Sequence, residues 1–180
     1  MRVTCFCSSS DKLAPIFYAE AKAVGQALGV GQYELIYGGS DLGLMGAVAS
    51  GSLSVGGKVT GINTVLFDQP EHRLSGLKDL IICKDLTERK RKLIDEADVF
   101  LALPGGIGTL DEVFEVLAAK QIGEIEASLF LYNADGYWDD ILVALENMFH
   151  QNMISAGLEN LFTLVSTPEE LVNSLILLSK

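Results

Sequence analysis

The stretch Val99–Leu117, VFLALPGGIGTLDEVFEVL, constrains the fold more than any other. Val99, Phe100, Leu101, Ala102 and Leu103 form a short apolar run without helical spacing, the pattern of a strand buried on both faces. Pro104 stops the strand ladder, and Gly105, Gly106 and Gly108 allow a turn that residues with a Cβ resist. Thr109 reads as the N-cap of a helix whose apolar stripe is Leu110, Val113, Phe114 and Leu117. Strand, glycine turn and helix start aim free N–H groups and the positive end of a helix dipole at one spot, an anion site suited to phosphate.

The turn is neither of two common glycine motifs. A P-loop needs Lys-Ser/Thr after its last glycine, and Thr109-Leu110 stands there. The dinucleotide fingerprint needs glycine where Asp111 sits. A single phosphate is therefore expected rather than a pyrophosphate. Asp111, Glu112 and Glu115 crowd the same helix end. One reading makes Thr109-x-x-Glu112 a capping box with acids suited to the dipole. The other gives one carboxylate chemical work, since an anion site otherwise avoids carboxylates.

With 180 residues and 49% hydrophobic content, the chain can bury a sizeable core, and residues 1–180 are expected to form one domain. A formal charge of −11 argues against nucleic acid or an anionic membrane as partner. Cys5, Cys7 and Cys83 are odd in number and lack a C-x-x-C spacing, which suggests reduced core thiols and a cytoplasmic protein. A catalytic cysteine is the alternative. The first residues carry too short an apolar run for a signal peptide, and no segment reaches membrane-spanning length.

Along the chain, strands are expected at 2–7, 34–37, 58–62, 80–83, 99–103, 128–132 and 161–165. Helices are expected at 15–28, 42–55, from 85, 109–122, 137–149 and from 167, with 63–78 irregular. This alternation predicts a doubly wound, Rossmann-like α/β domain with a mainly parallel sheet. Ligands bind such sheets beyond the carboxyl ends of the strands, near a switch in strand order. Ser8, Gly38, Gly39, Ser40 and the turn Gly105, Gly106, Ile107, Gly108 and Thr109 all follow strands and are placed in the site.

Residues 89–92, Arg-Lys-Arg-Lys, are four consecutive cations in an acidic chain. On a helix they cannot share one face, so only one or two can point at a ligand, and a solvated face accounts for the rest.

Pro104–Glu112 reads P-G-G-x-G-T-x-x-E and resembles the signature of the LONELY GUY (LOG) family, the cytokinin riboside 5'-monophosphate phosphoribohydrolases, also described as lysine decarboxylase-like. Asp85–Lys90 is similar to that family's D-M-H-x-R-K segment, Tyr37–Gly46 to its Y-G-G-G-x-x-G-L-M-G, Phe6–Ser10 to F-C-G-S-S, and Asn133–Asp139 to N-x-D-G-Y-x-D. The resemblance implies a homodimer with sites at the subunit boundary and hydrolysis of the N-glycosidic bond of a nucleoside 5'-monophosphate, giving free base and ribose 5-phosphate. It makes Arg89 and Glu112 the catalytic pair, Lys90 a substrate-side neighbour and Glu71 a nucleotide contact. Glu112 would support an oxocarbenium-like ribosyl centre or orient water. For the dimer, the residues offer only Val113, Val116, Leu117 and Ile122, a wider stripe than one sheet face requires.

No metal or cofactor is expected. His72 and His150 form no zinc motif, no G-x-S-x-G elbow is present, and nothing marks a Schiff-base lysine with a pyridoxal site. Thr87 stands where the family usually has histidine, Ile107 where tyrosine is frequent, and Asp111 where it has glutamate, so the base-side pocket, and with it prenylated or plain adenine, is left open. The rival reading is a carrier that binds a nucleotide or phosphorylated cofactor without turnover.

Overall fold

The computed structural model describes residues 1–155 and 157–179. Seven strands, β1 (Arg2–Phe6), β2 (Glu34–Tyr37), β3 (Val59–Thr64), β4 (Asp79–Cys83), β5 (Val99–Ala102), β6 (Ser128–Tyr132) and β7 (Thr163–Val165), form one sheet in the order β4-β3-β2-β1-β5-β6-β7. Every pairing is parallel. The chain runs outward from β1 to β4, then returns to place β5 on the other side of β1. That reversal is the switch point expected of a doubly wound sheet. There the loops after β1 and β5 are tied by Ser8 N–H donating to Pro104 O at 3.1 Å.

Helices α1 (Pro15–Val30), α2 (Gly43–Ser54), α3 (Leu86–Asp95), α4 (Ile107–Gln121), α5 (Asp139–His150), α6 (Leu158–Leu161) and α7 (Pro168–Leu178) cover both faces. The strand residues alternate between two cores, as the period of two requires. Val99, Leu101 and Leu103 pack with α1, α2 and α7, whereas Phe100 and Ala102 pack with α3, α4 and α5. Burial on both faces explains why β5 reads as an unbroken apolar run. Among the described residues, no helix is long and apolar enough to cross a membrane.

Glycines let α1 and α2 approach closely: a Cβ on Gly25 would overlap the Val48 carbonyl, and one on Gly51 would overlap that of Lys22. Several local expectations are corrected. Strand β3 runs on through Asn63 and Thr64, which pair with Ile82 and Cys83. Reciprocal caps close to a capping box lie at α3 and α7 instead: Asp85 accepts from Glu88 N–H and Glu88 from Lys84 N–H, each at 2.8 Å, and Thr167 accepts from Glu170 N–H at 3.2 Å and Glu170 from Ser166 N–H at 2.8 Å. Thr109 is not a cap. Helix α4 begins at Ile107 after an extended Gly106, with no side-chain cap, and Thr109 is buried in its first turn.

Candidate active site

A cleft of roughly 880 Å³ opens at the carboxyl ends of the strands, lined from the loops after β1, β2 and β3 and from the starts of α3 and α4. The two glycine turns that meet it differ in what they offer a ligand. At the start of α2 the donors are consumed internally: Leu42 N–H donates to Ser40 Oγ, Gly43 N–H to Asp11 Oδ1 and Leu44 N–H to Ser8 O. At the start of α4, Gly106, Ile107, Gly108 and Thr109 have no N–H partner among the described residues, and all four line the cleft. Unpaired donors at the positive end of a 15-residue helix form an anion cradle.

Beside this cradle Arg89 and Glu112 form a half-hidden pair. Arg89 Nη1 donates to Glu112 Oε1 at 3.0 Å, and the two side chains are only 14% and 12% exposed. Arg89 Nε donates to Ile62 O at 3.0 Å, in the second half of β3. Its remaining nitrogen leaves no room for a side chain at position 38, since a Cβ on Gly38 would sit 2.5 Å from Nη2 and from Met45 Sδ. The guanidinium is thus held on three sides. Burial raises Glu112 above the ordinary carboxylate value, while the Arg89 charge and hydrogen bond pull it part of the way back. A carboxylate so placed can face developing positive charge or hold a water molecule.

Lys90 turns the other way, as adjacent helical residues must. Its Nζ lies 2.8 Å from Glu115 Oε2 and 3.1 Å from Asp111 Oδ2. The hydrogen bond to Glu115 is the largest influence keeping it protonated, with Asp111 adding to it. An ammonium held in this way is a poor Schiff-base nucleophile. Lys90 borders the cleft, and its charge is shared with the carboxylates of Asp111 and Glu115 at the start of α4.

Of the residues placed in the site from sequence, Ser8, Gly38, Ser40, Arg89, Lys90, Gly106, Ile107, Gly108, Thr109 and Glu112 line the cleft. Gly39, Gly105 and Glu71 do not. Gly39 backs onto β3 with φ of +77°, close to Asn63 and Ile62, so its role is conformational. Gly105 lies beneath Thr109, whose side chain fills the space of a Cβ. Glu71 is exposed on a short 3₁₀ turn, Pro70–His72, and its neighbours Gln69 and His72 face the cleft.

Thr87, tied to the base-side pocket through the resemblance, lines the cleft, whereas sequence reasoning missed Phe67, Gln69, His72 and Leu86. Their only signal is their position after β3 and at the start of α3. Cys7 also lines the cleft, half-buried, although it was expected in the core. The neighbouring Cys5 thiol, together with burial, pushes Cys7 well above the ordinary thiol value, which leaves it protonated and a weak nucleophile. Among the described residues, no group of three or more His, Cys, Asp or Glu side chains gathers as metal ligands would.

A family described as "Possible lysine decarboxylase" matches residues 45–175. A cytokinin riboside 5'-monophosphate phosphoribohydrolase of Arabidopsis thaliana, LOG5, is 33% identical over 97% of this chain and 76% of its own. The chain belongs to the LOG family. A second member, the phosphoribohydrolase of Rhodococcoides fascians, is 33% identical over 85% of this chain and 78% of its own. Among solved structures, the molybdenum cofactor carrier protein of Chlamydomonas reinhardtii superimposes with a TM-score of 0.75 at 18% identity, covering 99% of this chain and 98% of its own. That likeness concerns the fold alone.

Proposed function

We propose that this LOG family member is an enzyme that hydrolyses the N-glycosidic bond of a nucleoside 5'-monophosphate, a cytokinin riboside 5'-monophosphate or AMP, to free base and ribose 5-phosphate. The observation that carries the reading is the Arg89–Glu112 pair beside the unpaired α4 donors in one cleft. The N–H groups of Gly106 to Thr109 anchor the phosphate. Anchoring there sets the anomeric carbon against Glu112, which stabilises positive charge on the ribosyl ring and orients water. The C1'–N bond breaks, water oxygen bonds to C1', and the proton lost by water balances the one gained by the departing base. A carrier needs the anchor but has no use for a desolvated carboxylate clamped by an arginine, and this favours turnover.

Base release from AMP, followed by chromatography, tests the proposal. AMP should be hydrolysed with a kcat/KM at least about a hundredfold above that for adenosine, because only the phosphate receives the anchoring energy. Equal activity on both would remove the phosphate from the α4 cradle, and binding of AMP without base release would favour the carrier.

Lys90 supports this site at one remove. Lys90→Ala exposes the anchored phosphate to Asp111 and Glu115, and KM for AMP should rise about two- to fivefold, the scale of partly exposed ion pairs. Asp111→Asn in the same chain should recover part of that loss. No recovery would mean that Lys90 meets the substrate directly.

The protein is further proposed to act as a homodimer. Val113, Val116 and Leu117 cannot form the interface, because they are buried inside the protomer. Ile107 (83% exposed), Phe114 (41%), Ile122 (75%) and Leu86 (43%) are the apolar side chains left outward on α3 and α4 and just past the end of α4. Light scattering at micromolar concentration should return twice the 19.4 kDa chain mass, and the monomer mass would refute the assembly.

A further inference from the structure

The anion cradle is backed by a residue 32 positions further along the chain. Tyr137 Oη donates to Gly105 O at 2.7 Å. Tyr137 does not line the cleft, whereas Gly106 does, so the hydroxyl takes the carbonyl from behind the turn. No peptide in the described chain is cis. In a trans peptide the C=O and the following N–H point in opposite directions. Drawing Gly105 C=O back toward Tyr137 therefore turns Gly106 N–H forward into the cleft.

The tyrosine is itself built in place. Its ring meets Phe17 edge-on at 5.7 Å and Trp138 edge-on at 5.1 Å. The backbone before it passes through Asp135 at φ +52° and Gly136 at φ +70°. A left-handed aspartate is costly and persists only where its surroundings hold it. Here Asn133 does so, accepting from Trp138 N–H at 2.7 Å and donating to Asp139 Oδ1 at 2.8 Å. The strained turn ends with a hydroxyl on a single carbonyl.

We propose that Tyr137 is a positioning residue for phosphate recognition, setting the Gly105–Gly106 peptide so that Gly106 N–H joins the α4 donors. This rests on the reading of α4 as the phosphate anchor, and it implies that Tyr137 affects binding of the phosphate and not the bond-breaking step.

The test is Tyr137→Phe in the full chain, which deletes the hydroxyl and keeps the ring contacts. Its Kd for ribose 5-phosphate, by titration calorimetry, should rise about five- to tenfold, the scale of one lost hydrogen bond that matters. KM for AMP should rise in parallel with kcat held within about twofold, the signature of lost uniform binding. Phe17→Leu, which loosens the ring but keeps the hydroxyl, should lower thermal stability at least as much and leave Kd unchanged. An unchanged Kd in Tyr137→Phe, a kcat loss at constant KM, or equal weakening in Phe17→Leu would each overturn the proposal. If the wild type binds ribose 5-phosphate but releases no base from AMP, the hydrolase reading fails and calorimetry still decides Tyr137. If the wild type binds no ribose 5-phosphate, both fail.

Discussion

Replacing Glu112 by glutamine is expected to slow base release from AMP by about two to three orders of magnitude, the scale of one transition-state electrostatic contact. The change is nearly isosteric, so Arg89 Nη1 retains an oxygen acceptor where it now meets Glu112 Oε1 at 3.0 Å. Ribose 5-phosphate affinity should stay near wild type, because the α4 donors are backbone groups that the substitution does not touch. A near-wild-type rate in Glu112→Gln would reduce Glu112 to a structural partner of Arg89.

The pH profile gives an independent reading of the same group. Burial places Glu112 above the ordinary carboxylate value, and the proposed mechanism uses the ionised form. Activity should therefore be full above that raised value and fall as pH drops through it. Stability runs in the opposite sense: the folded chain holds the proton more tightly than the unfolded one, so this group favours folding below its unfolded value. That contribution is lost as pH rises through the folded value. The residual activity of Glu112→Gln should lack this acid limb. A limb that survives unchanged would belong to another group, such as the substrate phosphate.

The second large effect is expected at Arg89. Arg89→Ala strips a buried carboxylate of its partner, and turnover should fall about a hundredfold or more. The acid limb should also move to higher pH, because Arg89 is what holds Glu112 down. Arg89→Lys is expected to recover only a minor part of the rate. The guanidinium donates through Nε to Ile62 O and through Nη1 to Glu112 in two directions at once, and an ammonium on a shorter reach cannot reproduce that fork. Circular dichroism would confirm that both variants fold. Full activity in Arg89→Lys would mean that charge suffices, and an unmoved acid limb in Arg89→Ala would uncouple the pair.

Sequence alone was enough for the alternation of strands and helices, for the double burial of Val99–Leu103 and for a glycine turn with free N–H groups. Each is a local matter: the periodicity of apolar residues and the conformational freedom of glycine act within a few residues. The choice among Arg89 and its neighbours is not local. By charge and spacing the four adjacent cations look alike, and only the resemblance singled out Arg89; the packing of α3 against β3 and α4 is what turns Arg89 inward to Glu112 while Lys90 meets Asp111 and Glu115. The helix start was misplaced for a related reason. Ile107, 83% exposed, carries no periodic signal, so Thr109 passed for a cap when the extended Gly106 begins the helix two residues before Thr109 is reached. The switch point itself is tertiary. Ser8 and Pro104 lie 96 residues apart in the chain and share a hydrogen bond because β5 returns beside β1. Pairings of this kind depend on which strand becomes the neighbour of which, and that is decided by the burial of both sheet faces together rather than by any one segment.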